Sequence, residues 1–161
     1  VINAKAVKTF EEAIVSAKKG GKVLIGGTRL RGGIFDKGHF CAPTIVELPL
    51  DHEIFMRELF VPILAVGKVK SMDQAITESN RAEYGLTAGI FTAKKEEIQK
   101  YFDEIEAGVC YANRRSGATT GAWPGVQSFC GWKGSGSTGK GGCGPYYVAQ
   151  FMREQSRTVM E

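Results

Sequence analysis

Apolar residues recur at helical spacing from the start of the chain. Val7, Phe10, Ile14 and Ala17 share one face, which predicts an amphipathic helix over residues 3–19, and Gly20-Gly21 stops it. "KVLIGG" reads as a short buried strand. "HFCAPTIVELP" is extended, with Pro43 unsuited to a central ladder position, and "PILAVGKVK" is an apolar strand. Ser71-Met72-Asp73-Gln74 has the form of a capping box, so a helix starts at Met72 and runs to about Ala82. "LTAGIFT" is a strand. Residues 94–107 predict another helix, because Ile98, Tyr101, Phe102 and Ile105 share a face and Gly108 follows as its stop. "GVCYAN" is the next strand, residues 114–144 are glycine-rich and irregular, "YYVAQFMRE" suits a short helix, and "QSRTVME" suits a final polar strand.

Strands alternating with helices predict an α/β fold, a three-layer sheet with helices on both faces and mainly parallel strands. In such sheets ligands bind beyond the C-terminal ends of strands, in the loops. The long stretch after Asn113 is therefore the candidate site, since structureless segments of that length in a compact domain usually carry function.

One pattern inside that stretch needs excluding. From Gly134 the letters run G-S-G-S-T-G-K-G and contain a literal G-x-G-x-x-G. A phosphate-binding loop leaves a buried strand, enters a helix and carries Ser or Thr after its Lys. Here Gly141 follows Lys140, no strong strand leads in, and Gly142, Gly144 and Pro145 oppose a helix leading out. A flexible or closely packed loop is the better reading, with 21 glycines making chance matches expected.

The composition adds limits. With 43% apolar and 24% charged residues among 161, the chain suits one globular domain or a large piece of one. A net charge of +4, scattered Lys and Arg and no aromatic stacking pattern give no indication of nucleic-acid binding. No long apolar run suggests a membrane span, and the expected location is cytoplasmic. Cys41, Cys110, Cys130 and Cys143 lack C-x-x-C spacing, and His39 and His52 are remote from them, so no metal site is expected and four buried or partly buried thiols are. The chain begins with Val1 rather than Met, which gives the expectation of further sequence upstream.

Several stretches together resemble one family. These are "GGIFDKGHFCAPTIVELP", "MRELFVPILAV", "YGLTAGIFT", "AGVCYAN" and "VQSFCGWKGSGSTGK". In order and spacing they are similar to the C-terminal part of the NAD(P)-dependent aldehyde dehydrogenase superfamily, across nearly the whole chain. Within it, "NRRSGATTGAWPGVQSF" is most similar to the branch that oxidises glutamate γ-semialdehyde, the open form of 1-pyrroline-5-carboxylate, to glutamate. The resemblance implies that residues 1–143 are the C-terminal portion of the catalytic domain and that 144–161 form a helix and an oligomerisation strand.

It also implies roles. Glu58 matches the carboxylate used on the nicotinamide ribose of NAD or NADP, and Phe60 the aromatic beside it. Ser116, Gly117 and Ala118 match a loop whose backbone amides hold the substrate's α-carboxylate; Thr120-Gly121-Ala122 is the competing register. Phe129 matches an aromatic wall of the aldehyde tunnel, while Asn113 reads as structural. Two positions depart from the family pattern: Val61 and Cys130 each stand where it has Gly. None of the four cysteines has the family's nucleophile setting, so no catalytic residue is assigned and these 161 residues alone are expected to be inactive. The expected partners are a small-molecule aldehyde and further copies of the chain, joined through the C-terminal strand. A non-catalytic binding or assembly module of the same fold, and an unrelated nucleotide-binding protein using the Gly-rich loop, remain the alternatives.

Overall fold

The structure is a computed structural model that describes residues 1–116, 122–123, 125–136 and 140–161. The chain divides into two compact units, Val1–Ala82 and Glu83–Glu161.

The first unit opens with α1 (Ala4–Gly20), capped by the Asn3 side chain, which accepts from the Ala6 N–H at 2.9 Å. Its apolar stripe is the one the periodicity predicts, with Val7, Phe10, Ala13, Ile14 and Ala17 all buried. The unit's sheet has the order β1 (Lys22–Ile25), β2 (Thr44–Glu47), β3 (Ile63–Val66). One core joins them: Ala13 and Ala17 pack with Val46, Leu48 and Ile54, and Val23, Leu59, Ile63 and Ala65 close around these.

β2 and β3 are parallel, as expected, but β1 runs antiparallel to β2. A parallel neighbour needs a crossover that carries the chain back to the starting edge. Between β1 and β2 the only helical piece among the described residues is the 3-10 turn Gly33–Lys37, and the chain doubles back instead. Gly26 and Gly27 make the exit from β1 at φ +75° and +80°; a Cβ on Gly26 would lie 2.2 Å from the Pro43 carbonyl oxygen. The buried Thr44 hydroxyl completes this corner, accepting from Gly27 N–H and donating to the Ala42 carbonyl, each at 2.8 Å. α2 (Met72–Asn80) follows, with Ser71 Oγ accepting from Gln74 N–H at 3.2 Å.

The second unit holds a parallel pair, β5 (Thr87–Ile90) and β6 (Val109–Ala112), linked through α3 (Lys95–Glu104). Tyr101, Ile105, Ala107 and Val109 are buried. A two-residue strand β4 (Tyr84–Gly85) pairs antiparallel with β7 (Trp132–Lys133). The expected helix over 146–154 reduces to a 3-10 turn at Ala149–Phe151. The expected strand over 155–161 does not form: these residues lie outside any helix or strand and are exposed throughout. A strand exists through its ladder, and no other segment among the described residues supplies one.

Among the described residues no helix is long and apolar enough to cross a membrane, and no group of three or more His, Cys, Asp or Glu gathers at one place.

Candidate functional site

In the first unit, the segment ahead of β3 is fixed from inside. Leu59 packs into the core, and the Pro62 carbonyl accepts from Thr44 N–H at 2.9 Å. Glu58 and Phe60, on either side of Leu59, stay exposed, Phe60 at 84%. The backbone of Phe60 is left-handed, φ +53°, a conformation disfavoured for a residue with a side chain. Glu58 has no hydrogen bond or ion pair among the described residues. An unpaired, accessible carboxylate beside an accessible ring fits a ligand that presents hydroxyl donors next to an aromatic or sugar surface. Val61, one of the departures, is half-buried.

In the second unit, the segment after β6 builds a cavity of 540 Å³. One wall is β6 itself, with Cys110 and Tyr111; the other is the returning chain, with Ala122, Trp123, Gln127, Ser128 and Cys130. Arg114 also lines it. The returning chain is held by its own bonds: Gln127 Oε1 accepts from Trp123 N–H at 3.1 Å, and the Trp123 carbonyl accepts from Gln127 N–H at 2.8 Å. Asn113 sets the other edge. Its N–H continues the β5–β6 ladder to the Ile90 carbonyl at 2.8 Å, and its side chain brackets Thr92, accepting from Thr92 N–H at 3.0 Å and donating to the Thr92 carbonyl at 2.9 Å. This is the structural role expected of Asn113.

Of the expected carboxylate anchor, Ser116 is exposed and outside the cavity wall; its carbonyl accepts from Arg114 Nε at 3.1 Å. Gly117 and Ala118 lie outside the described residues, as do Thr120 and Gly121 of the competing register. Ala122, the last residue of that second register, is in the wall. Phe129 is 40% exposed and bridges to Gly142; its neighbours Ser128 and Cys130 line the cavity, and it does not. Glu58 and Phe60 belong to one unit and Ser116 and Phe129 to the other.

Arg114 is the residue that sequence reasoning passed over. A guanidinium on a cavity wall is a strong partner for a carboxylate. The signal was present as the Arg114-Arg115 pair directly after the strand.

The cysteines carry no nucleophile setting. Cys41, Cys110 and Cys130 are partly buried and Cys143 is exposed, against the expectation of four buried or partly buried thiols. Burial pushes the Cys41 and Cys110 thiols up from their ordinary values. Both ring nitrogens of His52 lie against backbone: Nδ1 accepts from Ile54 N–H at 3.3 Å, and Nε2 lies 3.4 Å from the Ser16 carbonyl. In the Gly-rich stretch, residues 137–139 lie outside the described residues, a strand of only two residues precedes it, and no helix follows among those described.

Comparison with known proteins gives the chain's relatives. The aldehyde dehydrogenase family profile matches residues 1–157. The chain is 35% identical over 162 aligned positions to 1-pyrroline-5-carboxylate dehydrogenase of Bacillus licheniformis, covering 100% of this chain and 30% of that protein. It is 37% identical to 1-pyrroline-5-carboxylate dehydrogenase 2 of Bacillus subtilis, with the same coverage. Among solved structures it resembles 1-pyrroline-5-carboxylate dehydrogenase from Thermus with bound NAD, at TM-score 0.78 and 35% identity, covering 88% of this chain and 26% of that one. A lactaldehyde dehydrogenase structure superposes with TM-score 0.80 at 26% identity, over 95% of this chain and 30% of its own. The chain thus spans about 30% of the length of the curated relatives it matches.

Proposed function

The chain belongs to the aldehyde dehydrogenase family, and from that premise we propose that it supplies part of an NAD(P)-dependent enzyme that oxidises glutamate γ-semialdehyde to glutamate. The observation that carries the reading is the cavity after β6. It places an arginine and glycine-adjacent backbone around a space where a small anionic aldehyde can be held.

In this reading the carboxylate of the substrate lies against Arg114 and the backbone N–H groups of the loop before Trp123. Because Ala122 lines the cavity and Ser116 does not, the register 120–122 is favoured over 116–118. Phe129 remains a tunnel-wall candidate through its place between two lining residues. The aldehyde end is left free for chemistry contributed elsewhere in the enzyme, because no cysteine here is set beside a base.

NAD(P), when bound, supplies the hydride acceptor. Glu58 would hold its ribose through two accepted hydroxyl hydrogen bonds, and Phe60 would pack beside it. Both fit on the evidence of their exposure and of the unpaired carboxylate. The C-terminal residues 155–161 are proposed to pair with another copy of the chain, where Val159 and Met160, 89% and 88% exposed, would gain cover. Four free cysteines suit a reducing compartment, so the cytoplasm is the proposed location.

The test is steady-state kinetics of the full-length enzyme that contains these residues, on glutamate semialdehyde and on butanal, which lacks the anion. A clear preference in kcat/KM for glutamate semialdehyde is expected. Equal kcat/KM on the two would end the proposed substrate assignment.

A further inference from the structure

Two cysteines line the cavity after β6. Cys110 belongs to β6 and Cys130 to the returning chain, and both residues line the same space. Their hydrogens go to adjacent carbonyls: Cys110 Sγ donates to Ala107 at 3.3 Å, and Cys130 Sγ to Gly108 at 3.2 Å. The backbones meet here as well. A Cβ on Gly108 would lie 2.0 Å from the Cys130 carbonyl oxygen, so only glycine allows the two segments this approach. All four cysteines are free thiols. Cys143, the next cysteine along, is exposed and outside the cavity wall.

We propose that Cys110 and Cys130 are a modification site, a thiol pair that a small hydroperoxide entering the cavity converts to a disulfide. In the first step the Cys130 sulfur attacks one peroxide oxygen. The O–O bond breaks, sulfur loses two electrons, and Cys130 becomes a sulfenic acid while water or an alcohol leaves. In the second step the Cys110 sulfur attacks the Cys130 sulfur. The S–S bond forms, the S–O bond breaks, and the hydroxyl departs with the Cys110 proton as water. Two thiols and one hydroperoxide thus give one disulfide, one water and one further water or alcohol. The order follows from surroundings: burial pushes the Cys110 thiol up from its ordinary value, which disfavours it as the first nucleophile, so the first attack is assigned to Cys130.

The experiment treats the native wild-type chain with hydrogen peroxide in the presence and absence of dimedone, then digests it without reduction for peptide mass spectrometry. A peptide joined through Cys110 and Cys130, lost on treatment with dithiothreitol, is the expected result. In Cys110→Ser, Cys130 should instead persist as a sulfenic acid trapped by dimedone. The proposal is overturned if wild-type Cys130 is trapped by dimedone without any link to Cys110. It is equally overturned if the link forms to Cys143 or Cys41, or if neither thiol is oxidised while exposed Cys143 is. The wild-type measurement decides the matter even where the serine variant fails to fold.

Discussion

Asn113 is where the parallel pair ends and the cavity begins, and replacing it separates two physical terms. Its side chain makes two hydrogen bonds to the backbone of Thr92, and its own backbone is left-handed at φ +54°. Asn113→Ala removes both bonds. At an exposed strand end water replaces part of each, so the pair is worth about 1 kcal/mol, the low end of the range for neutral bonds. Alanine also takes on the left-handed penalty of about 1 kcal/mol that asparagine largely avoids. The expected loss is about 2 kcal/mol, which at a urea m-value of ~2 kcal/mol/M moves the midpoint down by roughly 1 M. Asn113→Gly loses the same bonds without the steric penalty, so its loss should be about 1 kcal/mol. Both tryptophans, Trp123 and Trp132, lie in the unit that contains Asn113, so intrinsic fluorescence during urea unfolding reads that unit. Equal losses for Ala and Gly would refute the backbone term, and midpoints unchanged in both would refute the role of the Thr92 bonds.

Other outcomes follow from the same geometry. In the full-length enzyme, Glu58→Gln should lower kcat/KM by roughly ten- to hundredfold, the usual cost of a lost charge-assisted hydrogen bond; unchanged kinetics would return Glu58 to the status of a surface acid. Gly121→Val should reduce the preference for glutamate semialdehyde over butanal more than Gly117→Val does, and the reverse order would restore the 116–118 register. The purified 161-residue chain should give no NAD-dependent oxidation of glutamate semialdehyde, and turnover abolished by Cys130→Ser would overturn that expectation. Phe60→Gly should stabilise the chain by about 0.5–1 kcal/mol in urea unfolding, by relieving the left-handed backbone; a destabilised variant would show that the Phe60 ring packs on the chain itself.

The three long helices were legible because their signals are local, whereas the expected helix over 146–154 was not formed. A 3.6-residue apolar period marks α1; in α3 the same period finds the helix but not its end or its whole buried face, since it stops at Glu104 and Phe102 is 46% exposed. Ser71 caps α2 as its capping box predicts. Even there one bond escaped: Gln74 Oε1 accepts from Lys70 N–H at 2.9 Å, one residue before the cap. Strand positions were legible too, but strand direction and burial were not: β1, expected to be buried, leaves Leu24 and Ile25 55% and 60% exposed. The antiparallel turn of β1 depends on the Gly26–Thr44 corner, a contact between residues far apart in sequence. The alternation in "SRTVME" is compatible with an edge strand, yet alternation says nothing about who supplies the partner ladder. Arg114 was obscured because the neighbouring glycines matched a family loop and drew the anion-binding role to backbone amides.

Backbone conformation was the least legible property and says most about the site. Four non-glycine residues among those described are left-handed: Phe60, Asn113, Lys133 and Cys143. Phe60 differs from Asn113, because its side chain offers no local hydrogen bond in return and is left 84% exposed. Its neighbours impose the turn, Leu59 through the core and Pro62 through its bond to Thr44. A chain selected for stability alone would place glycine there. Holding an exposed aromatic ring in a strained turn beside an unpaired carboxylate makes sense where a ligand covers both, which is how strain comes to collect at functional sites. That argument is independent of the family motif that first singled out Glu58 and Phe60, and it arrives at the same two residues.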